Sequence, residues 1–508
     1  MTSISTSRMS TDAGPAPRPH GQPPRGMAPA LFVVAALAFV AAQANLWSVN
    51  HYWFDEYYSL WAGDPKLPLA TLLGERILPD TNPPLFYTLV FFARTLIDDA
   101  RTAFVMLNGM ALVLTIAFVV VTGRRAGLAA WAWAATSLFL VSGPVMAYTS
   151  EGRAYLIAMS VVFSMAWVCA VAIDRLAFAP TTRTFVMLGF AAGLIHAYAA
   201  LMAGALAAGL VLEGLAKRRR ALVRIGLTLG GSASLTVLAW LTLVRDGTSG
   251  FDWIVFTPSA VREALWFVGQ LAVGHRIVGA AILAFLLASA VRTSFRPALR
   301  VFGVAATLFG VIPVAVSFAI PIIVGRYWLV GAPALVVLVV FASRAHLAAW
   351  TANRRQRSAL FAAVAGGVLM VGASLAAVSK VHQTIIDKWA WTGAPLVQRF
   401  AAQCGADSIH VWGWRGLHAV ATDAPESTFV DAQTSTRVVD AATAKCPVLG
   451  WAEHLWHPDD RRRAAQNETL LEMLRIRSDR PEFVQIERHD HGVVVLRADA
   501  GVPSSDHR

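Results

Sequence analysis

The chain has 508 residues, of which 56% are hydrophobic and 15% charged, with a formal net charge of +12 and a mean hydropathy of +0.54. This composition excludes an ordinary soluble globular protein and predicts an integral membrane protein. The basic residues fall in short clusters between apolar runs, which fits loops on the cytoplasmic side of a bilayer better than a nucleic-acid surface.

Residues 1–27, rich in Pro, Ser and Thr and carrying Arg8, Arg18 and Arg25, cannot bury a core and are expected to form a disordered basic tail held in the cytoplasm. Ala28 to Trp47 is the first apolar segment, long enough to span at roughly 20 residues. Its Ala42-Gln43-Ala44 triplet also has the form of a signal-peptidase site, and on either reading the next stretch of chain emerges outside. Further spans are predicted at 102–122, 126–143, 154–173, 184–200, 201–216, 225–244, 277–291, 301–320, 328–343 and 358–378, about eleven helices in all. The run 184–216 is too long for one helix and is split into a hairpin turning near Tyr198.

Pro83 to Ile97 is apolar but short and opens on two prolines, so it reads as an interfacial or re-entrant piece. Leaving it out of the count puts every basic cluster on the inner side: Arg124 and Arg125, Arg175 and Arg183, Lys217 to Arg220 with Arg224, Arg292 to Arg300, and Arg344 to Arg357. The first loop (48–101), the short loop with Glu151 and Arg153, the turn near His196, the loop 245–276, the Gly325-Arg326-Tyr327 turn and everything after about 380 then lie outside. The predicted fold class is an all-α polytopic membrane domain (28–380) followed by a small extracytoplasmic α/β domain (381–508).

In that C-terminal part Pro395 to Gln403 and Glu468 to Ile476 read as helices, Ser408 to Trp412 and Val448 to Trp451 as strands, and Phe483 to Arg488 with Gly492 to Arg497 as a hairpin. Cys404 and Cys446, placed in an oxidising compartment, are either a disulfide or two buried thiols, while Cys169 lies inside a span. No zinc spacing, CxxC, P-loop or GxGxxG occurs, so no nucleotide or cysteine-held metal is implied.

Chemistry is sought in the outer loops. Asp55 and Glu56 come after the first span, among Tyr52, Trp53, Phe54, Tyr57, Tyr58 and Trp61. Either the pair is an interfacial patch with an aromatic belt, or Asp55 is a general base that takes a proton from an acceptor hydroxyl, with Glu56 holding it in place or orienting the acceptor. A divalent metal at the two carboxylates is permitted but not required. Asn82, Pro83 and Pro84, a few residues before Tyr87, read as a helix entrance in which Asn82 is an acceptable cap. Glu151, Arg153 and Tyr155 open a span on the outer face, and Arg326-Tyr327 and His275-Arg276 repeat the arrangement. Each arginine either snorkels or neutralises a phosphate; several on a face that should be depleted of them favour an anionic lipid. His196 is either a hydrogen-bonded core histidine or part of the same site.

In order and sidedness these motifs resemble the polyprenyl-phosphate-sugar-dependent glycosyltransferases of the GT-C fold, among them protein O-mannosyltransferases, lipid A aminoarabinose transferases and bacterial galacturonosyltransferases. The resemblance covers roughly residues 28–345, through Asp55-Glu56, Asn82-Pro83-Pro84-Leu85-Phe86-Tyr87, Glu151-Gly152-Arg153-Ala154-Tyr155 and Arg326-Tyr327. The family commonly has histidine before the two prolines, where this chain has Asn82. The resemblance implies that Asp55 corresponds to the catalytic base and that Arg153 and Arg326, with Tyr327, lie near the donor phosphate. Tyr58, Asn82, Pro83, Pro84, Tyr87, Glu151, Tyr155 and His196 are expected around the substrate. The expected activity is inverting transfer of a sugar from a polyprenyl phosphate to a hydroxyl of a lipid, glycan or protein at the outer face of a bacterial inner membrane. The rival is a lipid or solute transporter with an external domain, which would show internal repeats and charges paired within spans; no repeat is evident and the charges gather at one interface.

Overall fold

The structure, a computed structural model, describes residues 27–49, 54–78, 80, 82–243, 256–273, 276–291, 295–350, 398, 401–412, 427–431, 438–440, 446, 448–451, 472, 476–477, 484–489 and 492–497. The expected tail therefore lies outside the described residues, except for Met27, which begins the first helix.

The helices run in chain order as α1 (Met27–Val49), α2 (Phe54–Ala62), α3 (Leu69–Leu72, continued by a π turn over Leu73–Ile77), α4 (Leu85–Leu96), α5 (Ala100–Arg125), α6 (Ala129–Leu140), α7 (Gly143–Tyr148) and α8 (Tyr155–Asp174). After them come α9 (Thr182–Ile195), α10 (Ala197–Ala216), α11 (Arg220–Leu241), α12 (Pro258–Val273), α13 (Arg276–Ser289), α14 (Arg296–Val316), α15 (Gly325–Trp328) and α16 (Ala332–Trp350). Ten expected spans coincide with helices; the eleventh, 358–378, lies outside the described residues. Six described segments, among them Ala100–Arg125, Tyr155–Asp174 and Ala197–Ala216, are long and apolar enough to cross a bilayer, and several shorter apolar helices join them. The protein is a multi-pass membrane protein.

Helix α8 is the axis of the bundle. It is apolar all round, and every residue from Tyr155 to Ile173 except Val161 is buried, as a helix surrounded by other helices requires. Outer helices instead turn leucine and valine outwards: Val113 and Leu114 on α5, Leu235 and Leu238 on α11, and Val34 and Leu37 on α1 are all exposed, which is the face a bilayer covers. Gln43, from the triplet that resembles a cleavage site, lies within α1 and donates from Nε2 to the Met146 carbonyl at 2.7 Å.

Two expectations change in detail. The hairpin within 184–216, expected to turn near Tyr198, breaks at His196. His196 is extended (φ −165°, ψ 134°), and its Nδ1 accepts from the Tyr198 amide at 3.1 Å, so the imidazole caps α10 and fixes the break. Asn82 is not the cap of α4: Pro84 holds that position with no side-chain cap, and Asn82 Nδ2 donates instead to Asp80 Oδ2 at 3.1 Å. At 12 residues, about 18 Å of rise, α4 is too short for a hydrocarbon core of about 30 Å.

One end of the bundle is tied by ion pairs. Arg300 at the start of α14 makes a bidentate pair with buried Glu213 at the end of α10, both bonds 2.7 Å, and Arg344 on α16 reaches Asp174 at the end of α8, also at 2.7 Å. Since α8 and α10 each carry 20 residues, their other ends lie about 30 Å away. Those other ends begin at Tyr155 and His196.

In the C-terminal part, β1 (Ile409–Trp412) pairs in parallel with both β2 (Thr428–Asp431) and β4 (Val448–Trp451). β3 (Val439–Asp440) pairs in parallel with β5 (Ile476–Arg477), and β6 (Val484–His489) with β7 (Gly492–Arg497) forms the antiparallel hairpin. β2 has no counterpart among the strands expected from the sequence, and Ile476 is in a strand, so the expected helix 468–476 ends short of it. Of the remainder of that expected helix only Glu472 is described, and most of Pro395–Gln403 lies outside the described residues. Cys404 and Cys446 are joined by a disulfide across a Cα separation of 6.1 Å, while Cys169 is buried and free.

Candidate active site

Asp55 sits in the first turn of α2, where the unpaired amides of a helix start favour a carboxylate. Its Oδ2 is 2.9 Å from Arg326 Nη2, contributed by α15 across 271 residues of sequence, and 3.9 Å from Arg153 Nη2. Arg153 also directs Nη1 to the Asp55 carbonyl at 3.1 Å, to Ser59 Oγ at 3.3 Å and to the Tyr87 hydroxyl at 3.4 Å. It therefore pins the first turn of α2 to α4 while facing the Asp55 carboxylate.

Adjacent helical residues point about 100° apart, so Glu56 has a different role. It is fully buried, and its Oε1 accepts the Gly152 amide at 2.7 Å. Asn108 on α5 supports the same loop by donating to the carbonyls of Thr149 and Glu151, both at 2.9 Å. A side chain at Gly152 is sterically barred: a Cβ there would lie 2.3 to 2.6 Å from three atoms of the Phe104 ring. Glycine at 152 is what lets the loop press against α5 and deliver Arg153.

Asn82, Pro83, Phe86, Tyr87, Arg153, Tyr155 and His196 line a narrow cavity beside this cluster. Tyr155, His196, Tyr198 and Tyr327 form an aromatic box, with ring centres 5.3 Å apart for His196 and Tyr327, 5.5 Å for Tyr198 and Tyr327, and 5.6 Å for Tyr155 and His196. The Tyr155 hydroxyl is buried and finds no hydrogen-bond partner among the described residues. Tyr58 stacks edge-on against Tyr87 at 5.7 Å. Pro83 is buried and Pro84 is half-buried at the mouth of α4. His275 and Arg276, the third arginine-bearing pair in the sequence, have side chains outside the described residues.

Burial, and next the Glu56 carboxylate, raise the Glu151 carboxyl well above the usual range. Burial lowers the His196 imidazole to about 3, with Arg153 and Arg326 adding to the effect. Because Nδ1 accepts from Tyr198, this neutral ring carries its proton on Nε2. The raised Glu151 group has a calculable consequence for stability. A carboxyl whose folded pKa lies above its unfolded value contributes stability below the unfolded value and loses it as pH rises. Glu151→Gln is therefore expected to flatten the fall in melting temperature that the wild type shows above the ordinary glutamate range, as read by thermal unfolding in detergent across pH 4.5–8.5.

Two residues to which the sequence alone assigns no role belong to this neighbourhood. Asp80 hydrogen-bonds with Asn82 and Tyr87; burial raises its carboxyl, while those bonds and the Arg153 charge pull it back. Ser59 bridges Arg153 and the Asp55 carbonyl. Asp80 was legible as an acid shortly before the paired prolines, whereas Ser59 emerges only through its i+4 position on α2. Asp55 and Glu56, the pair considered for a divalent ion, are engaged separately by guanidinium groups and by a backbone amide, so their arrangement does not fit a shared cation. Among the described residues no cluster of three His, Cys, Asp or Glu side chains is suited to a metal ion.

Comparison with known proteins bears on the fold. A family described as a domain of unknown function, DUF6311, matches residues 75–252. A search of curated proteins finds no match. Among solved structures, ArnT from Cupriavidus metallidurans bound to undecaprenyl phosphate is 16% identical, with a TM-score of 0.55 over 93% of this chain and 98% of that one. The oligosaccharyltransferase of Archaeoglobus fulgidus in complex with Zn and sulfate is 12% identical, with a TM-score of 0.50 over 94% of this chain and 74% of that one. Both are GT-C glycosyltransferases, and the likeness extends over most of this chain, beyond the stretch that carries the sequence motifs. The protein thus has the GT-C fold.

Proposed function

We propose that the chain is a membrane glycosyltransferase that moves a sugar from a polyprenyl-phosphate carrier to an acceptor hydroxyl on the outer face of a bacterial inner membrane. The observation that carries this reading is the convergence of Asp55, Arg326 and Arg153 at one end of the bundle, beside a cavity edged by polar and aromatic side chains. The fold likeness to a protein bound to undecaprenyl phosphate supports the class of donor.

In the proposed reaction Asp55 takes the acceptor hydroxyl proton as that oxygen bonds to the anomeric carbon. The bond from that carbon to the phosphate oxygen breaks on the opposite face, and polyprenyl phosphate leaves with the electron pair. One displacement inverts the anomeric centre. The two guanidinium groups flank the Asp55 carboxylate, and Arg326 with Arg153 stabilises charge on the departing phosphate. Arg153 already holds three protein oxygens through Nη1, so Arg326 is assigned the larger share. The unpartnered Tyr155 hydroxyl and the His196 Nε2 proton are suited to sugar or phosphate oxygens. A buried hydroxyl left unsatisfied costs about 1–3 kcal/mol, which a bound ligand would offset.

The acceptor is a hydroxyl of a lipid, glycan or protein, and the C-terminal strands lie on the same outer side in this reading. The test is to incubate the purified full chain with labelled polyprenyl-phosphate sugars and an envelope extract as acceptor. Release of free polyprenyl phosphate together with labelled product is expected; movement of intact donor across a vesicle wall without its cleavage would instead identify a transporter.

A further inference from the structure

The opposite end of the bundle holds a second built feature that sugar transfer does not use. The last turn of α10, the turn at 217–219 and the first two turns of α11 enclose a groove of about 680 Å³, lined by Arg218, Arg220 and Arg224 together with Gly214, Leu215 and Leu227. It lies about 30 Å of helix from His196, on the other membrane surface from Asp55. Lys217 and Arg219 complete a set of five exposed cations within eight residues. None of them forms an ion pair among the described residues. The acidic side chains at this end, Glu213 and Asp174, are already taken by Arg300 and by Arg344 with Arg175.

The backbone shapes this groove. Arg218 has φ +54°, a conformation that residues with side chains rarely adopt, and it turns the chain sharply between the two helices. At Gly214 a Cβ would meet the Val223 side chain at 2.8 Å and its amide at 2.9 Å, so the helices approach closely there and the cationic turn rides above them. Below the arginines, Leu215 and Leu227 are 62% and 63% exposed, on surfaces that face acyl chains. A cationic mouth above an exposed apolar flank, at the depth where a span ends, matches a phospholipid: phosphate at the mouth, chains along the leucines.

We propose that this groove binds an anionic phospholipid of the leaflet opposite the active site, with Arg218, Arg220 and Arg224 holding the headgroup phosphate and Leu215 and Leu227 flanking the acyl chains. The positive-inside pattern makes that leaflet the cytoplasmic one. The charge on offer is uncompensated, and a zwitterionic headgroup brings no net charge to match it.

Native mass spectrometry of the full chain released from detergent, with phosphatidylglycerol or phosphatidylcholine added, tests this. The wild type is expected to retain phosphatidylglycerol at least roughly tenfold better than phosphatidylcholine, and Arg220→Gln/Arg224→Gln is expected to erase most of that preference. Arg218→Gly removes a third guanidinium while suiting the backbone at that position, so it provides a variant that keeps the turn. Arg124→Gln/Arg125→Gln removes the same charge from another turn and is expected to leave the preference intact. Equal retention of the two lipids by the wild type, or equal loss in the Arg124/Arg125 variant, would overturn the site in favour of diffuse attraction. Displacement of phosphatidylglycerol by millimolar inorganic phosphate would overturn the lipid as its occupant.

Discussion

Asp55→Asn is expected to lower sugar transfer by about 10²- to 10⁴-fold, the usual contribution of a positioned base. Asparagine keeps the shape and an oxygen within reach of Arg326, but it cannot accept the acceptor proton at any useful rate. It also removes the negative charge that Arg326 and Arg153 share at 2.9 and 3.9 Å. Loss of one partner from a well-buried pair costs up to about 3–5 kcal/mol, and the partial exposure of Asp55 places the cost below that. Folding must therefore be measured alongside turnover. A monodisperse variant with a melting temperature within a few degrees of wild type and no transfer supports the base; comparable turnover by such a variant would remove Asp55 from the chemistry.

Gly152→Ala should damage the protein through packing before it touches chemistry. The new Cβ would fall within 2.6 Å of three Phe104 ring atoms, and Phe104 is almost wholly buried, so one of the two must move. Overpacking of this kind costs about 1–3 kcal/mol. Displacing the loop also stretches the bond from the Gly152 amide to the Glu56 carboxylate, worth about 1.5–3 kcal/mol for a charged acceptor. Together these predict a loss of up to about 6 kcal/mol, with lowered transfer because Arg153 shifts by the same movement. Phe104→Leu combined with Gly152→Ala should recover part of the loss, and Glu56→Gln, which keeps an oxygen acceptor, should be milder than Glu56→Ala. Thermal unfolding of the set in one detergent decides it: an alanine variant as stable as wild type would show that the loop has slack at this position.

The membrane architecture was legible because each cue was strong and local. Twenty-residue apolar runs give helices, so α5, α8, α10 and α14 follow from composition with ends off by a few residues. The break at His196 was placed slightly late because its cause is a side-chain cap, which hydropathy does not encode. The candidate site residues were named from the sequence as members of several separate loops, expected on one side of the membrane. Their meeting was not legible, since Asp55, Arg153 and Arg326 are brought together by packing around α8 and the pairing spans 271 residues. Asp80, seen only as part of a helix entrance, and Ser59 were given no role for a related reason, because their relevance lies in partners on other elements. The parallel strands after 400 were read in part: β1 and β4 were expected, whereas β2, of the same four-residue length, was not.

Determining the structure of the full chain with polyprenyl phosphate bound, by electron cryomicroscopy in nanodiscs, tests the central claim most directly. The account predicts phosphate oxygens at charge-assisted hydrogen-bond distance, about 2.7–2.9 Å, from the Arg326 guanidinium, with the headgroup beside Tyr155 and His196 and within reach of Asp55. A headgroup seated away from Arg326, or at the Arg218 groove on the opposite surface, would contradict it.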